Sequence, residues 1–238
     1  MKIDEFIKNR YTQIERYLTH YKEFNIPEDL HQFRVEVKKL NALYQLLNYT
    51  STDFNKKKEF KLHRKIFQRS GEIRDDDVRQ ELNKNKSLSK DILLRHQKDI
   101  ENFNKRISGY IRKLKKSRNA LIIAGSMLQK KQLKYYLEKR KKKIKKLFQK
   151  TNYQKQLHKI RKMCKELIYL SRLYTHKETN AFANLDKLQE HIGKWHNEQL
   201  LIKSKDIKNN SFISASKRRA QNQLQQINRL KENYLHYN

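Results

Sequence analysis

Four glycines and one proline in 238 residues leave this chain almost none of the residues from which tight turns and hairpins are built. Long segments rich in Lys, Leu, Gln and Glu favour helix instead, so the expected fold is all-α. Charge is the second constraint. Against 25 Asp and Glu stand 57 Lys and Arg, a formal net charge of +32, and self-repulsion on that scale opposes compaction unless an anion screens it. The expected partner is therefore anionic. Apolar residues make up 36% of the chain, which at this length suffices for one buried stripe per helix. A lone cysteine, Cys164, excludes an internal disulfide and a multi-cysteine zinc site and reads as a small core residue. The N-terminal MKIDEFIKNRYTQ has no apolar h-region, and the longest strongly apolar run, Ala120 to Gly125, is too short to cross a bilayer. A cytoplasmic protein with no membrane partner is expected.

The spacing of apolar residues predicts a first helix over Asp4 to Tyr21, where Ile7, Tyr11, Ile14, Leu18 and Tyr21 recur at helical intervals. A second begins near Pro27, a first-turn residue, with Glu28 and Asp29 at the positive end of the dipole, and runs to about Tyr49. A third covers Phe54 to Gln68; Gly71 then reads as a turn into a helix started by Asp75, Asp76 and Asp77. After Ser89, Ile100, Phe103, Ile107, Tyr110, Ile111 and Leu114 mark a long amphipathic helix. Ser117 to Phe148 follows, interrupted near Gly125 and Ser126, and its lysine-rich end reads as a solvated face. Further helices are expected over Gln156 to Tyr174, Ala181 to Lys203 with an interruption at Gly193, and Ser211 to Tyr237, about nine or ten in all. No proline-rich or glycine-serine linker divides them. One domain of two helical halves, 1–120 and 121–238, accommodates this order.

The clearest motif is a repeat. His31-x-x-Arg34-x-x-x-Lys38-Lys39-Leu40 recurs 127 residues later as His158-x-x-Arg161-x-x-x-Lys165-Glu166-Leu167, and each copy is followed by a glycine with polar residues behind it, GEIRDDDV from Gly71 and GKWHNEQL from Gly193. Two copies of one helical unit explain this most simply. On a helix of about 100° per residue, His31, Arg34 and Lys38 share one ridge, as do His158, Arg161 and Lys165. Phe33, Val37, Leu40, Tyr44 and Leu47 occupy the face opposite the first ridge, and Leu157, Ile160, Cys164 and Leu167 the face opposite the second. A merely solvated face has no reason to place His at the same phase twice. Anion recognition does, because Arg forks, Lys point charges and a His donor can converge on phosphate oxygens.

Catalytic chemistry finds little support. Carboxylates such as Asp75, Asp76 and Asp77 suit Mg²⁺ or Ca²⁺, yet beside Arg74 they read more simply as helix-starting acids. His63, His96, His176, His191 and His196 show no zinc-ligand spacing and read as donors or surface residues. A phosphate-cradling glycine loop, a nucleophile elbow and the alternating glutamates of a triphosphate tunnel are all missing, and most of the thirteen tyrosines fall at core spacing. Three readings stay open: a polyanion-binding module, an RNA- or DNA-binding helical protein, and a phosphohydrolase or polyphosphate-kinase accessory with the repeated His as phosphoacceptor. The last would need a nucleophile activated by a base or metal.

At HQFRVEVKKL and GEIRDDDV the sequence resembles the CHAD family, the conserved histidine α-helical domain, and HKIRKMCKELIY and LQEHIGKWHNE are similar to its second-half motifs. The likeness extends over roughly residues 5 to 235. It departs at Asn41 and Ile168, where the family often has Arg, and at Asn197, Glu198 and Gln199, which replace an acidic pattern. The resemblance implies two pseudo-twofold-related four-helix bundles with a basic channel or groove between them. It also implies binding of inorganic polyphosphate; with no catalytic motif or metal-ligand spacing in the chain, a non-enzymatic module without cofactor or metal, associated with polyphosphate granules, is expected. Carried over, His31, Arg34 and Lys38 and their mates His158, Arg161 and Lys165 would line the site, with Lys39 and Lys162 beside them.

Overall fold

The computed structural model describes residues 3–82, 90–174, 180–203 and 210–237, and among them it is helical with no strand. The chain forms two compact units, Met1–Gln129 and Lys130–Asn238.

The first unit contains α1 (Ile3–Phe24), α2 (Pro27–Thr50), the single-turn α3 (Lys56–Glu59), α4 (Lys61–Leu82) and α5 (Lys90–Ser126). The periodic residues of α1 are the ones it buries: Ile7, Tyr11, Ile14, Leu18 and Tyr21, together with Ile3. Its C-terminus is closed by Asn25 at φ 53°, whose N–H donates to the Tyr21 carbonyl at 2.8 Å. Asn is among the few side chains that tolerate this left-handed backbone, and Pro27 then opens α2. From α2, Phe33, Val37, Leu40, Tyr44 and Leu47 enter the core. Helix α1 packs on α2 and α5, and α4 packs on the same pair, so the four long helices enclose one apolar interior.

The second unit contains α6 (Lys130–Phe148), a 3-10 turn at Tyr153–Gln156, α7 (Leu157–Tyr174), α8 (Asn180–Lys203) and α9 (Asn210–Tyr237). Helix α7 lies against α6 and α8, and α9 against α8 and α6. Leu157, Ile160, Cys164 and Leu167 line its core. The expected break near Gly125 falls between Ser126 and Lys130.

Three expectations are corrected. Gly71 and Gly193 mark neither a turn nor an interruption, because α4 and α8 run through them; the physical reason appears with the site below. Asp75, Asp76 and Asp77 do not start a helix but lie within α4. The last two are directed at His96 on α5, whose Nε2 is 2.9 Å from Asp77 Oδ1 and whose Nδ1 is 4.0 Å from Asp76 Oδ2, so a tertiary partner and not the helix dipole fixes them. Finally, His63 and His96 are buried, which removes the surface half of their reading, while His96 Nε2 donates to Asp77 in keeping with the other half. His191 pairs with Gln223 of α9 at 2.7 Å, and His176 lies outside the described residues.

Candidate functional site

In the first unit α2 carries His31, Arg34 and Lys38 half-buried along one ridge. The Arg34 guanidinium reaches α4: its Nη1 donates to the Phe67 carbonyl and lies 3.5 Å from Ser70 Oγ. Its Cζ is 3.9 Å from the centre of the Phe67 ring, with Lys38 Nζ 5.9 Å from the same ring. Burial draws the Arg34 guanidinium below its ordinary pKa, Asp75 pushes it back up, and Arg74 pushes it further down. Arg74 therefore stands close to this ridge. Lys39 is committed elsewhere, 2.6 Å from Glu36 Oε1, while Arg10 of α1 is 2.8 Å from Oε2 of the same carboxylate. That buried acid pairs with two cations at the α1–α2 contact.

In the second unit α7 exposes His158 and Lys162 and holds Arg161 and Lys165 half-buried. Arg161 Nε donates to the Gln189 carbonyl of α8 at 3.2 Å. The His158 ring lies 5.2 Å from that of His196, also on α8. Burial lowers the pKa of His158, His196, Arg161 and Lys165 alike. Neighbouring cations add to this, Lys162 and Arg161 at His158, Arg161 and Lys203 at His196, Arg161 at Lys165; Asp186 opposes the shift at Lys165. Glu166, which stands in the repeat where the first unit has Lys39, is buried and accepts hydrogen bonds from the Tyr136 hydroxyl and, at 3.1 Å, from Arg140 Nε of α6.

The structure thus brings His31, Arg34 and Lys38 together, and His158, Arg161, Lys162 and Lys165 together, each within its own unit, and turns Lys39 to a carboxylate. Arg74 and His196 escaped the sequence reading although a signal was present: each is a basic residue three positions after the repeated glycine, in GEIR and GKWH. The two glycines are also part of the arrangement. A Cβ at Gly71 would lie 2.5 Å from Arg34 Nη1, and one at Gly193 would lie 2.6 Å from Arg161 Nη2. They are helical because a side chain, not a turn, needs the room.

Fold and ridges together define an all-helical, strongly basic protein built around a twice-used His-x-x-Arg helix. The CHAD domain family model matches residues 7–203, and the chain belongs to that family. Comparison with curated proteins and with solved structures gave no match.

Proposed function

We propose that this protein binds inorganic polyphosphate, without catalysis, through the two basic ridges. One observation carries the reading. In the second unit the His158 and His196 rings lie 5.2 Å apart beside Arg161, which is fixed to the Gln189 carbonyl at 3.2 Å, and the Arg161 charge adds to burial in lowering the pKa of His158, His196 and Lys165, opposed at Lys165 by Asp186. Like charges gathered in this way destabilise a fold, and a polyanion relieves the repulsion while accepting charge-assisted hydrogen bonds. Membership of a family linked to polyphosphate binding supports the same ligand. So does the burial of Tyr11, Tyr21, Tyr44, Tyr110, Tyr136 and Tyr234, which withdraws them from stacking on nucleobases.

Fluorescence anisotropy with labelled polyphosphate tests this. Lys162→Glu, on an exposed position, is expected to weaken binding about tenfold, since reversal adds repulsion to a lost ion pair, and Lys38→Ala on the ridge of the other unit should weaken binding as well. Bound phosphate favours protonated imidazole and the free protein disfavours it at His158 and His196, so affinity should rise as pH falls through the histidine range. Displacement by RNA at equal phosphate concentration would show that the ligand is nucleic acid instead.

A further inference from the structure

We propose that Arg34 and Arg161 are positioning residues, each locked over a glycine of the neighbouring helix, and that the residue three positions after that glycine, Arg74 or His196, completes each anion site. The identity of the anion rests on the polyphosphate reading; the lock does not.

Each guanidinium donates to a carbonyl four residues before its glycine, Phe67 before Gly71 and Gln189 before Gly193. In an α-helix that carbonyl is the acceptor of the glycine's own N–H, so each arginine rests on the turn that ends at the glycine. The missing Cβ makes this possible. At Gly71 it would lie 2.5 Å from Arg34 Nη1 and 3.1 Å from Cζ, and at Gly193 2.6 Å from Arg161 Nη2 and 2.8 Å from Cζ. The same three-part arrangement appears once in each unit, on helices alike mainly in the motif itself. Residues three apart are neighbours on a helix surface, which sets Arg74 and His196 one step along from the lock. Both report that placement: Arg74 lowers the pKa of Arg34, and Arg161 lowers that of His196, whose ring meets His158 at 5.2 Å. The groups acting on His196 are Arg161 and His158 from α7 and Lys203 from α8; Glu198 is held by Arg219 of α9 at 2.8 Å. An arginine bonded to backbone fixes the height of one helix on the next, and the residue three positions after the glycine is thereby placed to meet the anion.

A double-mutant cycle on the full chain decides this without any ligand. Gly193→Ala is expected to lower Tm while Arg161 is present and to raise it in Arg161→Ala, where only the better helix propensity of alanine acts. If Gly193→Ala fails to fold, folding restored by adding Arg161→Ala supports the lock, and failure to restore it overturns it. Equal Tm shifts in the two backgrounds also overturn it. In the free protein, Gly193→Ala should move the His196 titration followed by NMR; an unmoved titration means that the lock does not position His196. With polyphosphate, His196→Ala should weaken binding several-fold at pH 6 and less at pH 8, and unchanged affinity at both removes His196 from the site. Wild-type protein that ignores polyphosphate would sink the proposed function, while the thermal cycle and the titration would still decide the positioning.

Discussion

His63 is fully buried, with Nε2 2.8 Å from the Tyr11 hydroxyl and its ring stacked on Phe60 at 5.2 Å. Burial pushes its pKa down to about 3, from an unfolded value near 6.5. Because the folded value is the lower one, the unfolded chain binds the extra proton between these limits. The stability linked to a neutral His63 is thus present above about pH 6.5 and drains away toward pH 3, at no more than about 1.4 kcal/mol per pH unit for one proton. Urea denaturation at pH 7 and pH 4.5 should show a smaller acid loss for His63→Gln, which keeps a partner for Tyr11, than for the wild type. An equal loss would assign the acid sensitivity to other groups. Nothing in the order of residues around His63 discloses this role, since its partner hydroxyl lies 52 residues away on α1. By contrast the apolar residues of α1 could be read at sight, because solvent exclusion acts on a period that the sequence displays.

Within the elements, buried carboxylates tie the first helix of each unit to the second: Glu36 holds Arg10 and Lys39, and Glu166 holds Arg140 and the Tyr136 hydroxyl. A run of charges on paper does not show which acid turns inward, so these were illegible, as was the commitment of Lys39. The helical glycines were misread for a related reason. Glycine usually punctuates, and only the arginine lying across Gly71 or Gly193 explains why it continues a helix here. The helix boundaries of α2, α7 and α9, set by proline and by apolar spacing, came through within a residue or two. Glu36→Ala strands Arg10 against a largely buried position and is expected to cost roughly 2–4 kcal/mol, near the lower end of values for broken buried pairs because Arg10 keeps some solvent. Chemical denaturation measures this. A cost below about 1 kcal/mol would mean that the pair behaves as a surface bridge.

For the molecule as a whole, a charge of +32 gives salt two opposite effects with one cause. Added NaCl screens self-repulsion and should raise the Tm of the free protein. The same salt should weaken polyphosphate binding steeply, since neutralised phosphates release counterions. Lys162→Ala should flatten the plot of log affinity against log salt by about one unit of slope, as one ion contact is lost. A Tm that fell with salt would show that attractive pairs such as Arg219–Glu198 outweigh the repulsion. The sign and size of this charge were plain from composition; which cations cluster was not, because that depends on α4 presenting Arg74 beside α2 and α8 presenting His196 beside α7.

The arginine lying over each helical glycine also orders the routes by which this sequence can drift. Alanine at Gly71 or Gly193 has to displace the guanidinium that occupies the space of its Cβ, yet once Arg34 or Arg161 has shortened, alanine is welcome and improves the helix. Substitution is therefore easier from the arginine side than from the glycine side. Among descendants of this chain the two positions should covary, with arginine lost first and glycine second.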